Sequence, residues 1–289
     1  MKITKKPHNA KFTTPQKPKK NSSTLSRKHT RDSNIQTPKI PKDAQKAYKL
    51  LALQENISNN EAKNLIDRGL VSVNGKKVQI ARGLLAPNTH FSIQPIHTPK
   101  VIFQDENILA LDKPAFLTSE EIAKTYPQWT LLHRLDKETS GILLLVKDGS
   151  DFHKKAKETF KQMQVLKCYT AIVEGIINEE CVIDAPLFIK KGKFAKVSVS
   201  KTNDGQKAIT QITPLEISGK KTKLDVQIKT GKTHQIRAHL AHIKHPIVGD
   251  VLYGAKPATR ILLHARHIAL LGYEFNSKEP SIFIFQENL

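Results

Sequence analysis

The chain is poor in cysteine and has no long apolar run. Its two cysteines, Cys168 and Cys181, stand alone in 289 residues, too few for a disulfide framework or a cysteine-based zinc cluster. No stretch approaches the ~18 consecutive apolar residues of a membrane-spanning helix, and the N-terminal residues contain no apolar core of the kind that a secretory signal requires. We therefore expect a cytoplasmic protein that binds no membrane.

Acidic residues are also scarce. The chain has 26 Asp and Glu against 47 Lys and Arg, which gives a formal net charge of +21. Residues 1–42 hold 12 of the basic residues and a single acid, Asp32, and the rest of the chain is net positive as well. A basic balance of this size favours a polyanionic partner, RNA before DNA, because binding releases condensed counterions.

Composition divides the chain into three parts. Residues 1–42 are rich in Lys, Pro, Ser and Thr and cannot bury enough apolar surface to fold. We expect a disordered basic tail that either adds affinity for RNA or has no role. The sequence predicts a small domain over residues 43–95 and a larger domain over residues 97–289. The segment from Pro95 to Pro99 is predicted to be a linker between them.

The sequence of the small domain predicts two helices followed by a hairpin. Apolar residues between Tyr48 and Ile57 indicate the first helix. Ser58, with Glu61 three residues later, predicts a capping box that starts the second. Asn74-Gly75 between two apolar runs predicts a tight hairpin. The string from Asn60 to Val78, NEAKNLIDRGLVSVNGKKV, resembles the alpha-L RNA-binding module of ribosomal protein S-four. This resemblance implies RNA contacts by Lys63, Arg68, Lys76 and Lys77.

The string HRLDKETSG, residues 133–141, leads directly into the apolar run Ile142–Val146. Such a run predicts a strand buried on both faces, with Asp136 in the loop at its start. An Arg-Asp pair at the surface followed by a turn would be the ordinary alternative, since such pairs are common. The nine-residue string is more specific, and it resembles the signature of the RluA family of RNA pseudouridine synthases. In that family the aspartate is indispensable, which assigns catalysis to Asp136.

Two further motifs of this family follow in the expected order. The string KCYTAIVEG, residues 167–175, resembles a motif whose tyrosine faces the uracil ring, which implies this role for Tyr169; the alternative is a strand tyrosine with its hydroxyl bonded. The string GKTHQIR, residues 231–237, resembles a motif whose last arginine, here Arg237, pairs with the catalytic aspartate. The resemblance also implies substrate contacts by Arg134, Lys232, His234 and Gln235.

Two departures from the family pattern are visible. Lys232 stands where the family has arginine, which keeps the charge and loses a bidentate fork. Lys113-Pro114 resembles the opening segment of the catalytic domain, but only Ala115–Leu132 separates it from the signature string. We expect a trimmed loop on the RNA-facing side.

Four histidines, at positions 234, 239, 242 and 245, raise the alternative of a metal site. Helical spacing would bring His239 and His242 to one face. However, the neighbouring sequence offers no carboxylate or cysteine, and Arg237 and Lys244 would repel a cation. We expect no metal.

The resemblance implies a fold and an activity. The fold is α+β, a curved, mainly antiparallel sheet with flanking helices, preceded by the small RNA-binding domain. The activity is isomerisation of specific uridines in structured RNA to pseudouridine, on a flipped-out nucleotide, with Asp136 as nucleophile or base and no cofactor. The module suggests large-subunit ribosomal RNA, with transfer RNA as the alternative target, and we expect a monomer.

Two other functions compete with this prediction. A non-catalytic RNA-binding or ribosome-assembly factor could use the same scaffold, but it would not need Asp136, Tyr169 and Arg237 together. A DNA-binding regulator would need a helix-turn-helix or zinc-finger spacing, and the sequence has neither.

Overall fold

The structure of the chain is a computed structural model that describes residues 41, 43–190, 196–200 and 204–285. The described residues belong to one compact unit, Ile40–Leu289. The predicted basic tail lies outside the described residues, apart from Pro41. None of the described helices is long and apolar enough to cross a membrane.

The N-terminal part is a helix–helix–hairpin module with a small core of its own. Its elements are β1 (Gln45–Lys46), α1 (Ala47–Glu55), α2 (Asn59–Asp67), β2 (Val71–Val73), β3 (Lys76–Lys77), β4 (Leu84–Leu85) and β5 (Ser92–Ile93). β2 pairs with β3 and β5, and β1 pairs with β4. The core includes Leu51, Ile66 and Phe91.

Local signals explain these elements. The Ser58 hydroxyl accepts the Glu61 N–H at 3.1 Å and so caps α2, which satisfies one of the free donors at the helix start. Asn74 and Gly75 both have positive φ, 50° and 71°, as a two-residue turn matched to the twist of a hairpin requires. In the structure these elements follow one another as helix, helix and hairpin.

The larger part of the chain is built on a ten-stranded sheet. Its strands are β6 (Lys100–Gln104), β7 (Ile108–Lys113), β8 (Trp129–Leu131), β9 (Ser140–Lys147), β10 (Leu166–Glu174), β11 (Cys181–Asp184), β14 (Ile209–Ser218), β15 (Lys221–Ile228), β16 (Leu263–Leu270) and β17 (Tyr273–Asn276). The main path runs β11-β14-β15-β10-β16-β9-β7-β6, with β17 beside β16 and β8 beside β9. β12 (Leu187–Lys190) and β13 (Lys196–Val199) pair antiparallel in a separate two-stranded sheet. Only β9 and β16 run parallel among the described pairs, so the predicted mixed α+β, mainly antiparallel class is confirmed.

Short helices flank this sheet. They are α3 (Ser119–Lys124), α4 (Asp151–Lys161) and α5 (Gln235–His242), with 3-10 turns at Val251–Tyr253 and Ser281–Phe283. The sequence predicts a helix over 152–165, but α4 ends at Lys161. Met163 takes a left-handed φ of 58°, which a continuing helix cannot accommodate. The chain then enters β10.

The strand that follows the signature string is buried on both faces, as predicted. Alternate residues of β9 pack into two clusters: Ile142 and Leu144 on one face, Leu143 and Leu145 on the other. At its start, Gly141 has φ 108°, and a Cβ there would meet the Ala265 carbonyl of β16. The glycine therefore permits the close parallel approach that fixes the loop before β9.

Candidate active site

The loop between β8 and β9 carries Asp136 into a cleft of about 1300 Å³. The cleft is lined by the loop itself, by β10, and by the segment that leads into α5. Among its lining residues are Arg134, Asp136, Tyr169, Lys232, His234 and Arg237. The structure thus brings together six of the seven residues assigned to catalysis or substrate binding; the seventh, Gln235, lines a smaller pocket that shares Asp136.

Arg237 bridges two carboxylates. Its Nη1 donates to Asp136 Oδ2 at 2.9 Å, while Nε and Nη2 donate to Asp250 Oδ2 and Oδ1 at 2.6 and 2.9 Å. Burial lowers the pKa of this guanidinium, but the bonds and charges of Asp250 and Asp136 outweigh burial and hold it above its ordinary value. The bidentate contact fixes the plane of Arg237, and Arg237 in turn directs the Asp136 carboxylate.

Sequence reasoning assigned no role to Asp250. The residue is fully buried, and both of its oxygens bind Arg237. A positive φ of 85° at Gly249, where a Cβ would meet the Arg260 carbonyl, lets the chain turn so that Asp250 points inward. The sequence signal that could have pointed to this residue is a single acid directly after Ile-Val-Gly in a basic chain.

His234 lies directly before α5 with a left-handed φ of 51°. Its Nε2 is 3.7 Å from Asp136 Oδ2, and its Nδ1 lies 3.2 Å from the Tyr253 hydroxyl. Burial lowers the pKa of His234, although the charge of Asp136 opposes this. The imidazole is therefore neutral at neutral pH, and Arg237 is the permanent cation beside Asp136.

Tyr169 lies on β10 at a register shift between Cys168 and Tyr169 in the pairing with β16, a type of irregularity that re-aims a side chain next to a site. Burial and the charge of Asp136 raise the pKa of its hydroxyl above the ordinary value, so the phenol stays neutral. Its hydroxyl bonds to no other residue in the described ranges. This differs from the alternative of a tyrosine bonded within the sheet.

A buried lysine that sequence reasoning did not assign supports the Asp136 loop. The Lys113 side chain is fully buried, and its ammonium donates to the carbonyls of Pro114, Leu117 and Lys137 at 2.9, 2.6 and 3.1 Å. Burial, with the charge of Arg260, lowers its pKa to about 7. Lys113 thus holds the backbone directly after Asp136.

The remaining predicted substrate contacts differ in exposure. Arg134 is 74% exposed at the cleft rim and pairs with Glu120 at 2.6 Å, and Lys232 is also exposed. Gln235 differs from the expected direct contact, because its amide is buried and fully bonded within the chain. Gln235 Oε1 accepts the Lys232 N–H at 3.1 Å, so Gln235 shapes the loop that carries Lys232.

The four side chains of the module that are predicted to contact RNA also differ in exposure and in their partners. Lys76 is exposed, and the Lys63 ammonium lies 4.5 Å from the Tyr48 ring centroid. Arg68 pairs with Glu121 of α3 at 3.7 Å. Lys77 differs from the expectation of a free cation: its ammonium pairs with Glu138, in the Asp136 loop, at 2.7 Å.

One of the two histidines of α5, His239, serves the structure. His239 is fully buried, and its ring nitrogens bond to Thr210 Oγ1 at 2.8 Å and to the Ala185 carbonyl at 2.9 Å. Across the described ranges, no group of three or more His, Cys, Asp or Glu side chains is placed to hold a metal ion.

Comparison with known proteins identifies the family. A family model described as RNA pseudouridylate synthase matches residues 98–242. An "uncharacterized RNA pseudouridine synthase" of Helicobacter pylori is 57% identical over 241 residues, 83% of this chain and 99% of that protein. The "ribosomal large subunit pseudouridine synthase D" of Pasteurella multocida is 28% identical and covers 72% of each chain.

A solved structure supports the fold. The human RNA pseudouridylate synthase domain containing 1 protein aligns with a TM-score of 0.58 at 22% identity, over 65% of this chain and 86% of that one. The likeness extends the sequence matches to the three-dimensional architecture. The chain therefore belongs to the RNA pseudouridylate synthase family.

Proposed function

We propose that the chain isomerises specific uridines in structured ribosomal RNA to pseudouridine, with Asp136 as the essential catalytic group. The observation that carries this proposal is the Asp136 carboxylate, held at 2.9 Å by a permanent cation, Arg237, inside a cleft that Tyr169 also lines. A side chain in such a position can act directly on a bound nucleotide.

The reaction requires an ionised carboxylate. The bond between the ribose and a ring nitrogen of uracil breaks, the base turns, and a ring carbon bonds to the ribose in its place. That carbon then loses its hydrogen as a proton, and the released ring nitrogen gains a proton, so the product is an isomer of the substrate. Asp136 starts this sequence as a nucleophile or as a base on the sugar, and both routes need the anion. The guanidinium of Arg237 donates to that carboxylate at 2.9 Å and fixes its direction.

A uridine inside a helix cannot reach Asp136, so the nucleotide must leave its stack and enter the cleft. Tyr169 then packs against the uracil ring, and its neutral phenol adds no charge beside Asp136. Arg134, exposed at the rim, can support the extruded backbone or fill the space that the base leaves. The exposed ammonium of Lys232 adds a phosphate contact.

Ribosomal RNA is the proposed target for two reasons. The relative from Pasteurella multocida is named for the large ribosomal subunit. The helix–helix–hairpin module, which we propose is an S-four-type RNA-binding domain, presents the exposed Lys76 at its hairpin. If transfer RNA proved to be the modified species, the proposed target would be wrong and the proposed reaction would still stand.

Asp136→Asn tests the catalytic assignment. The substitution keeps the size of the side chain and removes the anion, so we expect pseudouridine formation in total RNA from cells lacking the gene to fall below detection. RNA affinity should stay within about threefold, because one carboxylate in a basic cleft adds little to phosphate binding.

The matched control is Asp184→Asn, an exposed carboxylate on β11, which should leave the rate unchanged. Retained isomerisation by purified Asp136→Asn would refute the assignment. Absence of isomerisation by the wild-type protein on this RNA would favour a non-catalytic RNA-binding factor.

A further inference from the structure

The hairpin of the module is tied to the loop that carries Asp136. Lys77 Nζ lies 2.7 Å from Glu138 Oε2, and the two side chains are only 16% and 23% exposed. The same Glu138 oxygen accepts the Ile261 N–H at 3.2 Å, and Arg260 Nη2 donates to the Glu138 carbonyl at 3.0 Å. Glu138 is thus held from two sides, two residues after Asp136.

A second contact reaches the same loop through Phe116. Its φ of 71° is rare for a bulky residue and is unfavourable by itself, so the surroundings must hold it. Leu65 and Leu70 of the module pack against its buried ring, and the Lys77 ammonium lies 5.7 Å from the ring centroid. The Phe116 N–H donates to the Lys137 carbonyl at 2.8 Å.

Both residues that follow Asp136 are therefore connected to the module: Glu138 directly, and Lys137 through Phe116. Surface ion pairs contribute little, but the low exposure of this pair makes the loss of one partner more costly, since a largely buried charge is then left unpaired. The Lys77 ammonium is also turned toward Glu138 and is engaged there, whereas its neighbour Lys76 is exposed.

We propose that Lys77 is a positioning residue, which through Glu138 makes the helix–helix–hairpin module a support for the Asp136 loop. The module then contributes to the rate of isomerisation and not only to the capture of RNA. This inference rests on the proposed catalytic role of Asp136.

The test separates rate from affinity. Enzyme in excess is mixed with total RNA from cells lacking the gene, and the rate of pseudouridine formation at increasing enzyme concentration gives a maximal rate and a half-saturating concentration. For Lys77→Gln we expect the maximal rate to fall about tenfold, as loop misplacement predicts, with the half-saturating concentration within about twofold. Lys77→Arg should restore most of the rate.

Two comparisons complete the test. Lys49→Gln makes the same change at an exposed position on α1 and should leave the maximal rate unaltered. Glu138→Gln should lower the rate as Lys77→Gln does, and the double variant should be no slower than the slower single variant, because coupled positions are not additive. Thermal unfolding of each variant shows whether it is folded.

Other outcomes overturn the inference. A higher half-saturating concentration with an unchanged maximal rate would make Lys77 an RNA contact. Additive losses of rate in the double variant would show that Lys77 and Glu138 are not coupled. Failure of the proposed function is distinguishable, since it would appear as activity in Asp136→Asn or as inactivity of the wild-type protein, and neither result depends on Lys77.

Discussion

At the scale of single residues, the site depends on charges that the fold keeps in fixed states. Arg237 lies between a fully buried carboxylate, Asp250, and the partly exposed one, Asp136. Asp250 offsets the cost of burying the guanidinium and leaves Nη1 free to direct Asp136. Because His234 and Tyr169 are neutral, Arg237 is the dominant charge beside Asp136.

Lys113 leads to a prediction on stability and pH. In the folded chain its pKa is about 7, against an ordinary value of 10.5, so between these values the unfolded state binds more protons. Stability contributed by this residue therefore rises with pH across that window. Wild type should gain stability relative to Lys113→Met between pH 6 and pH 9, measured as the difference in free energy of unfolding by urea.

The control for this prediction is Lys49→Met, the same change at an exposed lysine. A pH-independent difference between Lys113→Met and wild type, or an equal pH dependence in the control, would contradict the account of a depressed lysine pKa.

At the scale of elements, the junction of β9 and β16 positions the loop that carries Asp136. Gly141→Ala introduces a Cβ against the Ala265 carbonyl at a φ of 108°, which only glycine adopts readily. We expect a loss of roughly 2–4 kcal/mol in the free energy of unfolding, measured by chemical denaturation.

Gly219→Ala is the matched control, since φ there is 57° and nothing lies within 4 Å of the added Cβ. It should cost only about 1–2 kcal/mol. Equal losses at the two positions would show that the approach of β16 to β9 is not the constraint.

Elements that depend on local sequence were predictable. The Ser58 cap and the Asn74-Gly75 turn each act over a few residues, and the structure contains both. Contacts such as Arg237 with Asp250, or Lys77 with Glu138, join distant parts of the chain. No local sequence pattern specifies a partner that lies far away along the chain. These contacts and the hydrogen bonds of Gln235 could therefore be seen only in the folded structure.

At the scale of the whole molecule, charge and architecture suit a large polyanion. The cleft, the exposed Lys76 and the basic residues 1–42 supply cations at different places along the chain. Deleting residues 1–42 removes 12 basic residues and one acid. We expect a shallower dependence of RNA affinity on salt, because fewer counterions are released, with isomerisation retained on a high-affinity target.

That dependence is measured as the slope of log affinity against log salt for the full and shortened chains. An unchanged slope would mean that residues 1–42 make no phosphate contacts.

The most direct measurement of the central claim is a pseudouridine map of total RNA from cells with and without the gene, complemented by wild type or by Asp136→Asn. We predict the loss of one or a few sites in ribosomal RNA, restored by wild type and not by Asp136→Asn. Sites restored by Asp136→Asn, or a map identical with and without the gene, would contradict the account.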